Sequence, residues 1–141
     1  MKDVKIINRD CLAEAILSSD TDFPLTVTGS SMAPLIKDGR TVVLLTRTFT
    51  PAKGRILLFR RIDGTLILHR VRKVGKDYLV MSGDAQGWCE IIKPSQAIAA
   101  VNYIKIMGKN VKYNSPLLRI WDSIWYLTFP VRRLFCLHSK L

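Results

Sequence analysis

Short apolar runs separated by turn residues dominate the chain from Phe23 onward. Val, Ile, Leu and Thr are concentrated in six segments, which read PLTVTG, RTVVLLTR, GRILLFRR, TLILHRVRKV, DYLVMSG and QAIAAVNYIKIMG. The turns between them read KDG, PAKG, IDG and VGKD, and each contains a residue suited to a positive φ or a fixed bend. Strands this short, without helical patterns between them, predict a mainly β fold, either a compact, curled antiparallel sheet or a partial barrel.

Helical periodicity is found towards the two ends of the chain. Residues 8–18 place Leu12, Ala15 and Ile16 on one face, which predicts a short amphipathic helix. Residues 115–141 repeat large apolar side chains at helical spacing and predict a second amphipathic helix.

This second helical segment is rich in tryptophan and basic residues. Trp121 and Trp125 lie within it, and Pro130 is expected to end or kink the helix. We therefore predict a single β domain over residues 1–112, followed by a basic, Trp-rich amphipathic tail over residues 113–141.

The charge of the chain is strongly positive, because 22 Lys and Arg outnumber 11 Asp and Glu to give a net charge of +11. Such an excess indicates an anionic partner surface, either nucleic acid or acidic lipid. Nucleic acid is not expected, since no helix-turn-helix precedes the sheet. Large apolar side chains next to basic ones are typical of interfacial helices, so we expect residues 115–141 to bind an anionic membrane. Packing of this helix on the sheet is the alternative.

The amino-terminal segment and the cysteines bear on the location of the protein. Charges recur at short intervals over residues 1–20, so neither a secretory signal nor an N-terminal transmembrane anchor is expected. Cys11, Cys89 and Cys136 show neither a disulfide framework nor metal-ligand spacing, and we expect no metal and no cofactor. Reduced thiols favour the cytoplasm, where the protein is expected to associate peripherally with the membrane.

Three segments contain residues that can carry chemistry. TGSSMAPL follows a predicted strand directly, so its small residues indicate a sharp bend that presents Ser31. LILHRV places His69 on the same strand face as Ile67 and Val71. MSGDAQGWCE supplies Asp84 and Glu90 after another strand. Each segment alone has an ordinary structural interpretation, as a turn, a buried histidine and a turn with a capping aspartate.

Together and in this order, the three segments resemble the S24/S26 peptidase superfamily, which includes type I signal peptidases and LexA-like repressors. The likeness covers roughly residues 24–107 and is closest to the Ser-His branch of signal peptidases. It implies a fold of that type, with Ser31 as nucleophile and His69 as general base. Asp84, in a Gly-Asp box, and Glu90, several positions beyond it, are alternatives for the acid that orients His69.

The resemblance implies a serine endopeptidase that cleaves a leader or signal-type peptide bound in an extended conformation. Two departures concern turns, because Gly39-Arg40 and Gly54-Arg55 stand where the superfamily usually has Gly-Asp. One alternative is a peptidase dedicated to the leader of a cytoplasmic peptide. A second, from a different class, is a catalytically inactive β-module that binds anionic membrane or another protein.

Overall fold

The computed structural model describes residues 9–18 and 22–139, with side chains described for residues 13–18 and 22–131. Two helices frame the sheet, α1 over Arg9–Ser18 and α2 over Pro116–Ser139. The strands are β1 (Phe23–Thr26), β2 (Val42–Thr46), β3 (Ile56–Arg60), β4 (Leu66–Val74), β5 (Leu79–Ser82), β6 (Glu90–Ile92), β7 (Ala97–Ile106) and β8 (Lys109–Lys112). A short 3₁₀ turn, Pro94–Gln96, precedes β7.

The strands form one antiparallel sheet of eight strands, in the order β1-β2-β7-β3-β4-β5-β6, with β8 added to β7. The sheet does not close into a barrel, since this path ends at β1 on one side and at β6 on the other. The predicted mainly β fold and both predicted helices are confirmed. Strands β6 and β8 were not predicted.

Side chains on alternate positions of the central strand β3 pack into two apolar clusters. Ile56 and Leu58 join a first cluster with residues of α1 and of the segment after β1, including Ile16, Met32 and Ile36. Residues of β3, β4, β5, β6 and β7 form the second cluster, which contains Leu57, Phe59, Val71, Leu79, Met81, Ile92 and Ala100. This division follows from the two-residue period of a strand. Each fully buried Leu, Ile or Phe contributes roughly 1.5–3 kcal/mol, so both sides of the sheet are fixed by packing.

Helix α2 packs on the sheet through one of its faces. Leu118 belongs to the first cluster and is only 6% exposed. The cations of Lys53 and Arg72 lie 3.6 Å above the rings of Tyr126 and Phe129, respectively. The predicted boundary at residue 112 falls between the end of β8 and the start of this helix.

Pro130 lies inside α2 and does not end it, because the helix continues to Ser139. Of the two outcomes expected at Pro130, an end or a kink, the structure therefore excludes the end. Proline lacks an N–H group and so removes one intrahelical hydrogen bond, whereas the turns on either side keep theirs.

Several sequence-based expectations concern groups that the structure describes only in part. Cys89 is free and exposed, whereas the side chains of Cys11 and Cys136 and all of residues 1–8 lie outside the description. In the described part of the chain, no helix combines the length and the apolar character needed to cross a bilayer. Among the same residues, no group of three His, Cys, Asp or Glu side chains is placed to hold a metal ion.

Candidate active site

The segment that contains Ser31 is a tight turn held from several directions. It follows β1 and begins at Gly29, whose N–H donates to Asp38 Oδ1 at 2.8 Å. Met32, the next residue after Ser31, is 1% exposed and packs in the first apolar cluster together with Ile36. Ser31 itself is partly exposed. The turn is therefore anchored by a buried side chain immediately after the serine, as the sharp bend predicted from TGSSMAPL requires.

The Ser31 turn packs against the loop that follows β5. The Ala85 N–H donates to the Ser31 carbonyl oxygen at 2.9 Å. A Cβ atom at Gly83 would collide with the same carbonyl oxygen, so only glycine permits this close approach. Gly83 and Ala85, on either side of Asp84, thus place backbone beside the candidate nucleophile.

His69 lies on β4 and belongs to the face predicted from strand alternation, since Ile67 and Val71 both pack with the second cluster. Its side chain is 2% exposed. Phe59 and Trp88 contact the imidazole edge-on, at centroid distances of 5.9 and 6.0 Å. The ring is therefore held in a largely apolar environment.

The pairing of β4 with β5 brings the histidine strand to the same loop. Arg70 is paired with Ser82 in this register. Because the strands are antiparallel, His69 lies level with Gly83, the residue that follows Ser82. The Ser31 turn and His69 therefore lie at the same end of β5.

Glu90, on β6, is the acid that lies next to the imidazole. Its Oε1 is 3.3 Å from His69 Nδ1, a distance suited to an ion pair, although the two groups are not aligned as a hydrogen bond. Arg61 fixes the carboxylate through two hydrogen bonds, from Nε to Oε2 at 3.0 Å and from Nη2 to Oε1 at 2.8 Å. Arg61, Glu90 and His69 thus form a continuous chain of contacts.

Asp84 has a different partner. Arg70 donates to both of its oxygens at 2.8 Å, from Nε to Oδ1 and from Nη2 to Oδ2. Arg70 Nη1 also donates to the Gly54 carbonyl oxygen at 3.0 Å and lies 3.3 Å from Asp122 Oδ1 on α2. Arg70 therefore joins β4, the loop after β5 and helix α2, and Asp84 is its partner in that loop.

Burial lowers the pKa of His69 from 6.5 to about 4, because the charged ring loses its hydration inside the protein. Glu90 opposes this by attracting the charged ring, Arg61 lowers the pKa further, and Asp84 raises it. The imidazole is therefore neutral at neutral pH. If Nδ1 carries its proton towards Glu90, Nε2 is the acceptor.

The two arginines in these contacts were not singled out from the sequence. Arg70 follows His69 directly in a strand, so the two side chains point to opposite faces of the sheet. This alternation was the available indication that Arg70 has contacts different from those of His69. Arg61 lies in the turn after β3, and nothing in its neighbours indicates a partner that is 29 positions away. Gly39 and Gly54, which precede Arg40 and Arg55, lie in turns with φ of 66° and 89°.

Comparison with known proteins gives one result. The sequence model of the family described as Peptidase S24-like matches residues 4–111, which is more than half of the chain and includes every residue of the candidate site. A search of curated proteins found no significant match, and neither did a search of solved structures.

Proposed function

Since the chain belongs to the S24-like peptidase family, we propose that it is a serine endopeptidase in which Ser31 is the nucleophile and His69 the general base. Glu90 is the acid that orients His69 in this proposal. The observation that carries it is the 3.3 Å contact between Glu90 Oε1 and His69 Nδ1, at the end of the sheet where the Ser31 turn packs.

The chemistry follows from a neutral imidazole beside a hydroxyl group. His69 Nε2 accepts the proton of Ser31 Oγ as that oxygen attacks the peptide carbonyl carbon, and the same proton then goes to the leaving amine. Water next attacks the acyl-enzyme ester, again losing a proton to Nε2, and releases the acid with regeneration of the serine. In this proposal a backbone N–H of the Ser31 turn stabilises the oxyanion, and such a donor contributes roughly 3 kcal/mol to lowering the barrier.

Glu90 is preferred to Asp84 because of what each carboxylate contacts. The imidazolium formed during catalysis needs a negative charge at Nδ1. Glu90 lies there and is held in place by Arg61. Both oxygens of Asp84 accept hydrogen bonds from Arg70, so this carboxylate neutralises a buried guanidinium instead.

The proposed substrate is a leader or signal-type peptide in an extended conformation. Strand β1 ends the sheet on one side, and the chain runs from it directly into the Ser31 turn. An extended peptide can add to such an edge through main-chain hydrogen bonds, which would bring its scissile carbonyl past the serine. The S24-like family match supports peptide hydrolysis, whereas the preference for leader or signal sequences rests on the sequence motifs.

Labelling with a fluorescent activated ester tests the nucleophile without knowledge of the natural substrate. We expect the wild-type chain to be acylated and Ser31→Ala to remain unlabelled, because the ester forms on the Ser31 hydroxyl. His69→Ala is expected to slow labelling by a factor of about 10²–10⁴, the usual contribution of a general base. Circular dichroism of both variants reports whether the fold is intact.

The matched control is Ser95→Ala, which removes another exposed serine hydroxyl, in the 3₁₀ turn before β7. This variant should label at the wild-type rate. Equal labelling of folded Ser31→Ala and wild-type protein would rule out Ser31 as the nucleophile.

One observation favours the second candidate function, a β-module that binds its partners without hydrolysing them. The side chain of His69 is 2% exposed and its ring is covered by Trp88 and Phe59, so the imidazole is shielded from solvent. The labelling experiment distinguishes the two, because an inactive module is not acylated at Ser31 at all.

A further inference from the structure

Helix α2 presents two opposite faces. The face directed at the sheet contains Leu118, which is buried in the first cluster, and Asp122, which contacts Arg70. Trp125 lies one turn beyond Asp122 and is partly buried. At about 100° per residue, the positions three and four apart that follow Leu118 stay on this inner face.

The opposite face is an exposed apolar stripe. Its five side chains are each between 52% and 75% exposed and follow one another at steps of three and four residues: Leu117, Ile120, Ile124, Leu127 and Val131. The stripe extends over roughly 20 Å of helix. None of the five belongs to either apolar cluster of the described residues. A contiguous exposed apolar surface of this kind indicates an interaction site.

The exposed charge that α2 carries near the stripe is positive. Arg119 is an exposed residue next to Ile120 in the sequence, whereas Lys53 and Arg72 contact Tyr126 and Phe129 where the helix packs on the sheet. Asp122 is the one acid in the sequence of α2, and its carboxylate is directed at Arg70 and not at solvent. The chain as a whole has a net charge of +11.

We propose that this exposed stripe of α2 inserts into the headgroup region of an anionic lipid bilayer, with the helix lying parallel to the membrane. An apolar stripe on a strongly basic protein matches the two components of interfacial binding, burial of aliphatic side chains and attraction to acidic headgroups. A second copy of the chain fits less well, because each copy has the same large positive charge. The tryptophans are not the inserted group, since Trp121 and Trp125 are partly buried and pack edge-on at 5.5 Å.

The experiment compares point variants, because removing the whole helix would also remove Leu118 from the core. Co-sedimentation is measured with vesicles of phosphatidylcholine alone and of phosphatidylcholine mixed with phosphatidylglycerol. Wild-type protein should bind the anionic vesicles, and added salt should weaken this binding. Leu127→Asp and Ile124→Asp should each lower the partition coefficient at least about tenfold, because each loses an aliphatic anchor and adds a repelled charge.

The matched control is Ile62→Asp, which introduces the same charge at a fully exposed isoleucine in the turn after β3. It should change the partition coefficient by less than about twofold, close to the effect of one unit of charge alone. Equal binding by Leu127→Asp, Ile62→Asp and wild type would overturn the proposal. A wild-type dimer in sedimentation without vesicles that Leu127→Asp converts to a monomer would also overturn it, in favour of a second copy. None of these measurements needs Ser31, so they do not depend on the proposed peptidase function.

Discussion

Glu90 and Asp84 each accept two hydrogen bonds from a single arginine, but the two pairs occupy different surroundings. The side chains of Arg70 and Asp84 are 8% and 3% exposed, and their contacts connect the sheet with α2. The side chains of Arg61 and Glu90 are 34% and 19% exposed, and Glu90 contacts the imidazole of His69. The more buried pair joins structural elements, whereas the more exposed pair leaves one carboxylate oxygen next to a titratable ring.

The pKa values of the two arginines reflect the same difference. For Arg61, the hydrogen bond to Glu90 is the largest influence and raises the pKa. For Arg70, burial is the largest influence and lowers the pKa, but the hydrogen bond and charge of Asp84 and the charge of Asp122 outweigh it and raise the pKa. The buried charge of Arg70 is therefore stabilised mainly by its acidic partners, whereas that of Arg61 is also stabilised by solvent.

Among substitutions in these two pairs, the largest expected effect is on catalysis. Glu90→Gln should lower the rate of acylation at Ser31 by up to the factor of about 10²–10⁴ expected for His69→Ala, because the imidazolium loses its counter-charge. Its effect on the free energy of unfolding should be about 1 kcal/mol or less, since Arg61 can be solvated. Acylation kinetics and urea denaturation of the same preparation measure both quantities. A Glu90→Gln variant that acylates at the wild-type rate would contradict the assignment.

The second expected effect is on stability. Asp84→Asn should lower the free energy of unfolding by about 3–5 kcal/mol, because it leaves the Arg70 guanidinium buried without full compensation. Urea denaturation measures this loss, and Glu90→Gln is the matched control, with the same kind of change in the more exposed pair. If Asp84→Asn were as stable as wild type but lost acylation activity, the roles of the two acids would be reversed.

The sequence was sufficient to predict the parts of the fold that have long apolar strands. The segments that became β3, β4 and β7 contain continuous or alternating Val, Ile, Leu and Ala, and their pairing in the centre of the sheet follows from this burial. Strand β6 has three residues and β8 reads KNVK, so neither has an apolar pattern of its own. They are strands because each lies beside a neighbour that offers free hydrogen-bonding groups, which is a tertiary effect.

For the candidate site, motif order suggested the residues but not their contacts. Ser31, His69, Asp84 and Glu90 were selected from motif order, and their roles stay a prediction. The choice between the two acids could not be made in this way, because it depends on which arginine each carboxylate reaches across the sheet. Arg61 is 29 positions from Glu90 in the sequence. Only the turn after β3 and the register of β4, β5 and β6 bring the two residues into contact.

A smaller effect is expected from the protonation of His69, which makes the free energy of unfolding depend on pH. The folded pKa of His69 is about 4, compared with an unperturbed value of 6.5, so between these values the unfolded chain binds a proton that the folded chain does not. The free energy of unfolding should therefore fall by up to roughly 3 kcal/mol as the pH decreases from 6.5 to 4, and this contribution should be fully present above pH 6.5. In His69→Gln this part of the pH dependence of the free energy of unfolding should be missing.

A titration of His69, followed by NMR of the imidazole Hε1 proton, compares the carboxylates directly. Both raise the pKa of His69, and the charge of Glu90 has the greater influence. Glu90→Gln should therefore lower the pKa of His69 below about 4, and Asp84→Asn should lower it by less. A larger decrease in Asp84→Asn than in Glu90→Gln would mean that the Arg70–Asp84 pair, and not the Arg61–Glu90 pair, controls the protonation of the candidate base. In that case the contact between Glu90 and His69 would have no role in proton transfer.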